Sequence, residues 1–491
     1  MLILTVNHDF HYETENLLRV FYPHEKIELH HATDAEQSDG VEALITREGC
    51  WQRYFVSVHI RQKTLTRYTV GDVTDGADAE LALCTLLFEV LCDFTGYTPA
   101  WGLLTGVRPA KLMGTLRHTL GEEAAQSYFR NTLRVSEEKT ALAARVSEKQ
   151  DQIAALSSDG CFSLYLSIPF CPTRCSYCSF VSHSIEKAKK LLPDYTALLC
   201  EEIKCTARIA AALGLKLKSI YMGGGTPTTL SAQQMNQVLT TVRESFDLSN
   251  CLEFTVEAGR PDTVDEEKLQ VLRQNGVGRI SINPQSFHDS VLRQIGRNHT
   301  SADTLYAYEL AQKAGFEQIN MDLIAGLPTD TPDGFAQSLD RAIALSPSNI
   351  TVHTLALKRS SSLVYREGYT AESDTAAMLA CAQKQLPAFG YEPYYMYRQS
   401  RCVGNLENVG WAQRGSECLY NVFMMEEIHT VLSCGGGAVT KLKQDGVNNI
   451  ERIFNFKYPY EYIDRFAEIL ARKDKIFAFY EHPERFQKGS V

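Results

Sequence analysis

The chain has 491 residues, 44% of them apolar and 22% charged, which is the composition of an ordinary globular protein. At about 150 residues per domain it has room for roughly three domain-sized units, and it is long enough to fold without disulfide staples. Lys and Arg number 49 against 59 Asp and Glu, and the resulting charge of −10 argues against nucleic acid or an anionic membrane surface as the main partner.

The first residues, MLILTVNHDFHYE, lack a basic flank and soon turn acidic and aromatic, so no secretory signal is expected. Residues 1–80 read as an α+β domain, with strand character in ILTV and in YFVSVHI (54–60) and a helix in YETENLLRVFY. Residues 81–158 read as a helical segment. Leu81–Phe94 and Ser136–Leu156 are its clear helices, the second opening on Ser-x-x-Lys rather than a capping box. Between them WGLLTGVRPAKL (101–112) is a Gly- and Pro-punctuated turn that leads into another helix. The most apolar stretch, Leu81–Cys92, is too short for a membrane span and contains Glu89. These features predict a cytoplasmic protein. Its 14 cysteines, in a reducing compartment, then point to metal or redox roles rather than a disulfide framework.

SSDG at 157–160 breaks the helical pattern, and from Cys161 strands and helices alternate. Strands are expected at 163–168, 217–222, 252–257, 279–283, 318–324 and 349–355, each pair separated by a helical stretch such as SADTLYAYELAQKAG. Repeated strand–helix units with right-handed crossovers give a parallel sheet, and six of them fit a curved, incomplete barrel across 159–370 more readily than a flat one. Residues 371–491 read as a small, mixed, aromatic-rich C-terminal domain.

The strongest chemical signal is Cys171-Pro-Thr-Arg-Cys175-Ser-Tyr-Cys178, directly after the first of these strands. Buried structural thiols fit such a Pro- and Arg-containing cluster poorly. Structural zinc needs four closed ligands, usually as two separated pairs, and the sequence has no second Cys-x2-Cys pair. Three thiolates suit a [4Fe–4S] cluster with one iron left open for another ligand. Met222-Gly-Gly-Gly-Thr-Pro-Thr228 follows the second strand, where glycines let backbone approach a ligand. Glu257, Gln285, Arg297 and Asp322 fall at or just beyond strand ends, where barrel enzymes keep their site residues.

The C-x3-C-x2-C loop after the first strand resembles that of the radical SAM superfamily. The longer run Tyr165-Leu-Ser-Ile-Pro-Phe-Cys171 resembles the oxygen-independent coproporphyrinogen III oxidase (dehydrogenase) group and the related heme chaperones. LTGVRP (104–109) and NVGWAQRGSECLYN (408–421) make the chain most similar to the HemZ-type branch. The resemblance implies an α/β fold, a partial (β/α)6 barrel, with Cys171, Cys175 and Cys178 holding a [4Fe–4S] cluster. It implies S-adenosyl-L-methionine bound by Gly224, Gly225 and Thr226, with ribose and carboxylate contacts from Glu257, Gln285, Arg297 and Asp322. Tyr165, Phe170 and Tyr177 would pack at the cluster, and Ile324 against adenine. The cofactor pair would supply a 5′-deoxyadenosyl radical, fed by an electron donor such as flavodoxin or ferredoxin.

The implied reaction is decarboxylation of coproporphyrinogen III propionates to vinyls, giving protoporphyrinogen IX for heme biosynthesis. The alternative is a heme-binding protein that carries heme without decarboxylating anything. A substrate with four carboxylates needs local cations, for which Arg108, Lys111, Arg174, Lys358, Arg359, Arg398, Arg401 and Arg414 are available. Tyr394, Tyr395 and Tyr397 could face a flat macrocycle or form core, and His183 and His299 could lie near the pocket. The sequence departs from the decarboxylase pattern at Ser167, where a His is common, and at Phe180, where a further Cys is common. Cys161 reads as a structural thiol, and Cys434-Gly-Gly-Gly marks a close backbone approach.

Overall fold

Apolar runs rich in β-branched and aromatic residues become strands here, and the helices between them decide which strands meet. The computed structural model describes residues 2–23, 25–31, 39–48, 51–72, 76–178, 183–357, 363, 372–399, 402–444 and 450–482. The chain forms two compact units, Met1–Arg145 with Arg398–Leu406, and Val146–Tyr397 with Glu407–Val491. Among the described residues no helix is long and apolar enough to cross a membrane.

The first unit is built on strands β1 (Leu2–Val6), β2 (Ile27–His31), β3 (Gly40–Glu48), β4 (Trp51–Ile60) and β5 (Lys63–Asp72), in the order β2-β1-β3-β4-β5. β4 alternates, burying Tyr54, Val56 and Val58 on one face. That face packs with Leu17 and Leu18 of helix His11–Phe21 and with Leu83, Leu87 and Leu91 of helix Gly76–Thr95. β2 and β5 escape a reading of the sequence because their residues are largely polar, and β3 because its apolar residues do not alternate strictly. They form through pairing with β1 and β4, which override weak local preference. Arg398 belongs to this unit. It is buried, donates to the carbonyls of Leu104, Gly106 and Asn405, and lies 5.5 Å over the Trp101 ring. The sequence offered it as a substrate cation. The structure instead spends its guanidinium on holding the LTGVRP turn.

The second unit contains β6 (Cys161–Ile168), β7 (Phe170–Cys171), β8 (His183–Ser184), β9 (Lys216–Gly224), β10 (Glu253–Glu257), β11 (Arg279–Ser281), β12 (Gln318–Ala325) and β13 (Asn349–Thr354). β6, β9, β10, β11, β12 and β13 are parallel neighbours in chain order, the six β/α units expected. β6 is buried along nearly its whole length, as a strand covered on both faces must be. The intervening helices begin where the sequence supplies caps. Ser231 with Gln234 and Thr300 with Asp303 form capping boxes, and Asp265 and Thr331 cap two more.

The boundary at 371 differs from the structure. β14 (Tyr391–Arg398), β15 (Glu407–Gln413), β16 (Thr430–Cys434), β17 (Val439–Leu442) and β18 (Glu451–Phe454) extend the same eleven-stranded sheet at both edges, in the order β14-β15-β13-β12-β11-β10-β9-β6-β16-β17-β18. The two that join the central strands do so across long stretches of chain, β15 to β13 and β16 to β6, Thr430 opposite Phe162 for one, so local pattern could not place them. Because the six central strands are parallel, their carboxyl ends share one rim, and the conspicuous residues of the sequence gather there.

Candidate functional site

The cysteine loop leaves β6 through Pro169 and starts on β7, which pairs with β8. Cys175 is buried, while Cys171 and Cys178 are partly exposed. The Cys178 amide donates to the Cys175 carbonyl (3.1 Å), and that of Ser176 to Ile295 (3.0 Å), which fixes the turn between the thiols. Two side chains donate toward sulfur, Thr226 to Cys171 (3.4 Å) and Arg260 to Cys175 (3.8 Å). Arg260 also holds the Thr173 carbonyl and hydroxyl and makes a two-pronged bond to Asp262. Donors of this kind suit thiolate sulfur bound to iron. Among the described residues no three His, Cys, Asp or Glu side chains converge on a single ion.

The glycine run serves this loop first. Gly225 donates to the Ile168 carbonyl (2.8 Å) and Thr226 to that of Phe170 (2.7 Å). A Cβ on Gly225 would stand 2.5 Å from the Phe170 oxygen, and one on Gly223 2.8 Å from the Glu257 carboxyl carbon. Gly224 has φ +104°, a conformation that favours glycine. The run thus brings backbone amides, the cysteine loop and Glu257 together.

Glu257 ends β10 and accepts a hydrogen bond from Tyr221 (2.7 Å). Burial pushes its carboxyl up to about 7; the Tyr221 bond opposes this and the charge of Asp322 adds to it. Asp322, on β12, accepts from Asn320 (2.7 Å) and lies 3.7 Å from His353 Nε2. Burial works against its charge, but His353, Asn320 and Thr351 outweigh burial and hold it below its usual range. His353 is correspondingly raised: burial opposes the proton and Asp322 more than restores it. This end of the barrel therefore carries one carboxyl that titrates near neutrality and one fixed ion pair.

Gln285 sits beyond β11 with φ +67°. Its amide donates to Asp322 and its carbonyl accepts from Ile324, which ties three of the expected positions together. Arg297 donates to the Gly259 carbonyl (3.1 Å) and the Tyr177 hydroxyl (2.9 Å). Burial opposes its charge, but Tyr177, Cys175 and Asp262 more than compensate and raise its pKa. Several buried atoms at this rim, Arg297 Nε and Asn283 Oδ1 among them, have no hydrogen-bond partner among the described residues. His299 is buried beside them and held neutral, pushed down to about 4 by burial and by Arg297. Tyr165 stacks with Tyr221 and Tyr420, whose own rings are 4.5 Å apart. Phe170 is fully buried, edge-on to Tyr195. Tyr394 and Tyr395 belong to the core with Tyr420 and Phe423, and Tyr397 reaches His353 Nδ1 at 3.3 Å.

Of the expected cations, Arg174 is exposed on the cysteine loop. Arg108 and Lys111 start helix Pro109–Leu120 of the first unit. Arg414 lies at the opposite, amino-terminal end of the strands, lining a cavity of about 910 Å3 with Arg243, Glu253 and Arg279. Lys358, Arg359, Arg401 and Phe180 lie outside the described residues. Ser167, at the position where His is common, donates to the Gly436 carbonyl (2.7 Å). This explains the Cys434-Gly-Gly-Gly signal: Gly435 and Gly436 close on Ser167 and Pro169, and a Cβ on Gly435 would meet the Ser167 oxygen at 2.4 Å. Cys434 itself is buried, its thiol pushed up to about 12 by burial and so inert as a nucleophile. Sequence reasoning missed Arg260, Tyr221 and His353. Arg260 stands three residues past Glu257 in Glu257-Ala-Gly-Arg260, a position that could have drawn notice; His353 becomes meaningful only once β12 and β13 pair.

Comparison with known proteins agrees with this geometry. Residues 165–342 match the radical SAM superfamily. The chain is 37% identical over 390 residues to the oxygen-independent coproporphyrinogen-III oxidase-like protein HemZ of Bacillus subtilis (strain 168), covering 78% of this chain and 77% of that protein. It is 31% identical over 304 residues to the heme chaperone HemW of Haemophilus influenzae, 61% of this chain and 75% of that one. The solved coproporphyrinogen III oxidase HemN from Escherichia coli superposes with a TM-score of 0.52 at 23% identity, covering 66% of this chain and 72% of that one, and so shares the fold.

Proposed function

Because the chain belongs to the oxygen-independent coproporphyrinogen III oxidase-like family of the radical SAM superfamily, whose cofactors are a [4Fe–4S] cluster and S-adenosylmethionine, we propose that it oxidatively decarboxylates coproporphyrinogen III. Each of two propionates would lose a hydrogen atom, CO2 and one electron to become a vinyl group, giving protoporphyrinogen IX. The observation that carries this reading is the unfilled complement at the rim: a buried guanidinium donor and a buried amide acceptor near the three-cysteine loop, on the same strand-end rim as Glu257. A buried polar atom without a partner is costly unless a ligand completes it.

In this reading Cys171, Cys175 and Cys178 hold the cluster, and Thr226 and Arg260 support their charge. The bound pair of cofactors supplies a carbon radical able to take hydrogen from an unactivated C–H bond. Arg297 Nε is the donor for the carboxylate of methionine. Asn283 Oδ1 and the Gly224–Thr226 backbone face its ammonium, and Glu257 and Asp322 accept from the ribose hydroxyls. His353 keeps Asp322 ionised for that task. The glycine run, with the rings of Tyr165, Tyr221 and Tyr420, closes the floor and excludes water.

The test is an anaerobic assay of iron-loaded protein with S-adenosylmethionine and coproporphyrinogen III. We expect 5′-deoxyadenosine that depends on the tetrapyrrole, together with vinyl product seen by absorbance, and loss of both in Cys175→Ala. Full turnover by Cys175→Ala, or zinc in the loop, would end the radical reading. The likeness to the heme chaperone HemW supports a second reading, a heme carrier. Tight heme binding with no vinyl product would favour it.

A further inference from the structure

β8 lies directly against the first cysteine of the loop. His183 pairs with Phe170 and Ser184 with Cys171, and the Ser184 hydroxyl donates to the Pro172 carbonyl (3.3 Å). The ring of His183 meets Tyr458 and Tyr460 edge-on, at 5.7 and 6.1 Å between centroids. These two tyrosines stack on each other at 5.5 Å and 13°, and remain 39% and 46% exposed. Two large rings held parallel in solvent have the character of a contact surface rather than of core.

Cations surround them. Arg174 is exposed on the cysteine loop and near enough to His183 to act on its charge. Lys457 precedes Tyr458 and is exposed. The guanidiniums of Arg465 and Arg472 stand 4.0 and 4.2 Å from the centre of the Phe456 ring. Glu468, on helix Phe466–Glu481, is engaged by Arg465 through two 2.7 Å contacts, which leaves Glu461 and Asp464 of helix Pro459–Asp464 as the nearby carboxylates. With Arg465 paired to Glu468, the cations Arg174, Lys457 and Arg472 outnumber Glu461 and Asp464, so the patch is aromatic with a small positive excess on a protein of net charge −10.

We propose that the face formed by His183, Tyr458 and Tyr460 docks an acidic one-electron carrier protein, which reduces the iron–sulfur group held by the Cys171 loop. The inference rests on the cluster assignment under Proposed function. The step itself is simple: the carrier loses one electron, the cluster gains one, and no bond forms or breaks. The charge of the patch selects an acidic partner and speeds its encounter, while the paired rings give contact area at low entropic cost. The position is short-range by construction, since β8 touches the strand that ends in Cys171.

The probe is a strongly acidic flavodoxin, reduced to its hydroquinone and mixed anaerobically with cluster-loaded protein while the cluster absorbance is followed. Dithionite serves as a carrier-free reductant. We expect Lys457→Glu and the double variant Tyr458→Ala/Tyr460→Ala each to weaken flavodoxin binding about tenfold, with the dithionite rate, iron content and melting temperature unchanged. The wild-type flavodoxin rate should fall as salt rises from about 50 mM to about 500 mM. Calorimetry with cluster-free protein should show the same order of affinities. Variants within twofold of wild type in both measurements overturn the proposal. Wild-type protein that fails to take up a cluster is a different failure, visible before any flavodoxin is added, and it removes the parent reading along with this one.

Discussion

Glu257 is a carboxylic acid whose environment makes it an acid near neutrality. Burial is the main cause, and the pKa rises from 4.5 to about 7. The sign follows from linkage. The folded protein keeps a proton that the unfolded chain gives up, so this group stabilises the fold fully below about pH 4.5. That contribution is lost as pH rises toward 7 and is constant above it. Glu257→Gln should flatten this slope. Discounted for partial exposure, the difference between pH 5 and pH 8 is about 2 kcal/mol in denaturant titrations of wild type against variant. A slope that persists in the variant assigns it to another group. Glu257 itself was legible in the sequence as a strand-end carboxylate, and Asp322 on the fifth strand and Arg297 in Ile295-Gly-Arg297-Asn-His were legible as site candidates. Their chemistry was not, because Tyr221, His353 and Tyr177 meet them only through pairing and packing across separate strands.

At the level of elements, the six parallel strands were readable because each is a compact apolar run bounded by turn residues. The strands β15 and β16 were not, since the central strands they join, β13 and β6, lie more than fifty residues away in the chain. The turn after β16 is held by a buried network. Glu202, fully buried on helix Leu192–Ala212, accepts from the Gly435 amide (2.7 Å), Asn455 (2.8 Å), Tyr462 (2.7 Å) and Lys473 (3.0 Å). Through Gly435 and Gly436 it braces Ser167 and Pro169, immediately ahead of the cysteine loop. Removing one charge leaves the other buried alone, so Glu202→Gln should cost roughly 3–5 kcal/mol in chemical denaturation. The double variant Glu202→Leu/Lys473→Met should recover much of that loss. A double variant worse than the single would show that the hydrogen bonds, not the charge pair, dominate.

For the molecule as a whole, the sequence divided the chain at 80, 158 and 370, whereas its contacts divide it into two units, one of which takes back residues 398–406. No composition shift marks that excursion. It is visible only because Arg398 needs the Leu104 and Gly106 carbonyls and the Trp101 ring. A chain starting at Val146 removes the Leu104 and Gly106 acceptors of this buried guanidinium, a loss on the order of 1–3 kcal/mol concentrated in one segment. Limited trypsin digestion followed by mass spectrometry should then show rapid cutting at Arg398 that the full chain resists, while the parallel strands stay protected. Equal resistance in both chains would mean that the segment is anchored within the second unit.

The brace from Glu202 also bears on how the protein matures. The strand beside the cysteine loop is backed by a turn whose counter-charge, Lys473, is synthesised some three hundred residues after Cys171. A chain cut short of that lysine lacks the counter-charge of this wall, so the backing behind the cysteine loop is complete only once nearly the whole polypeptide is present.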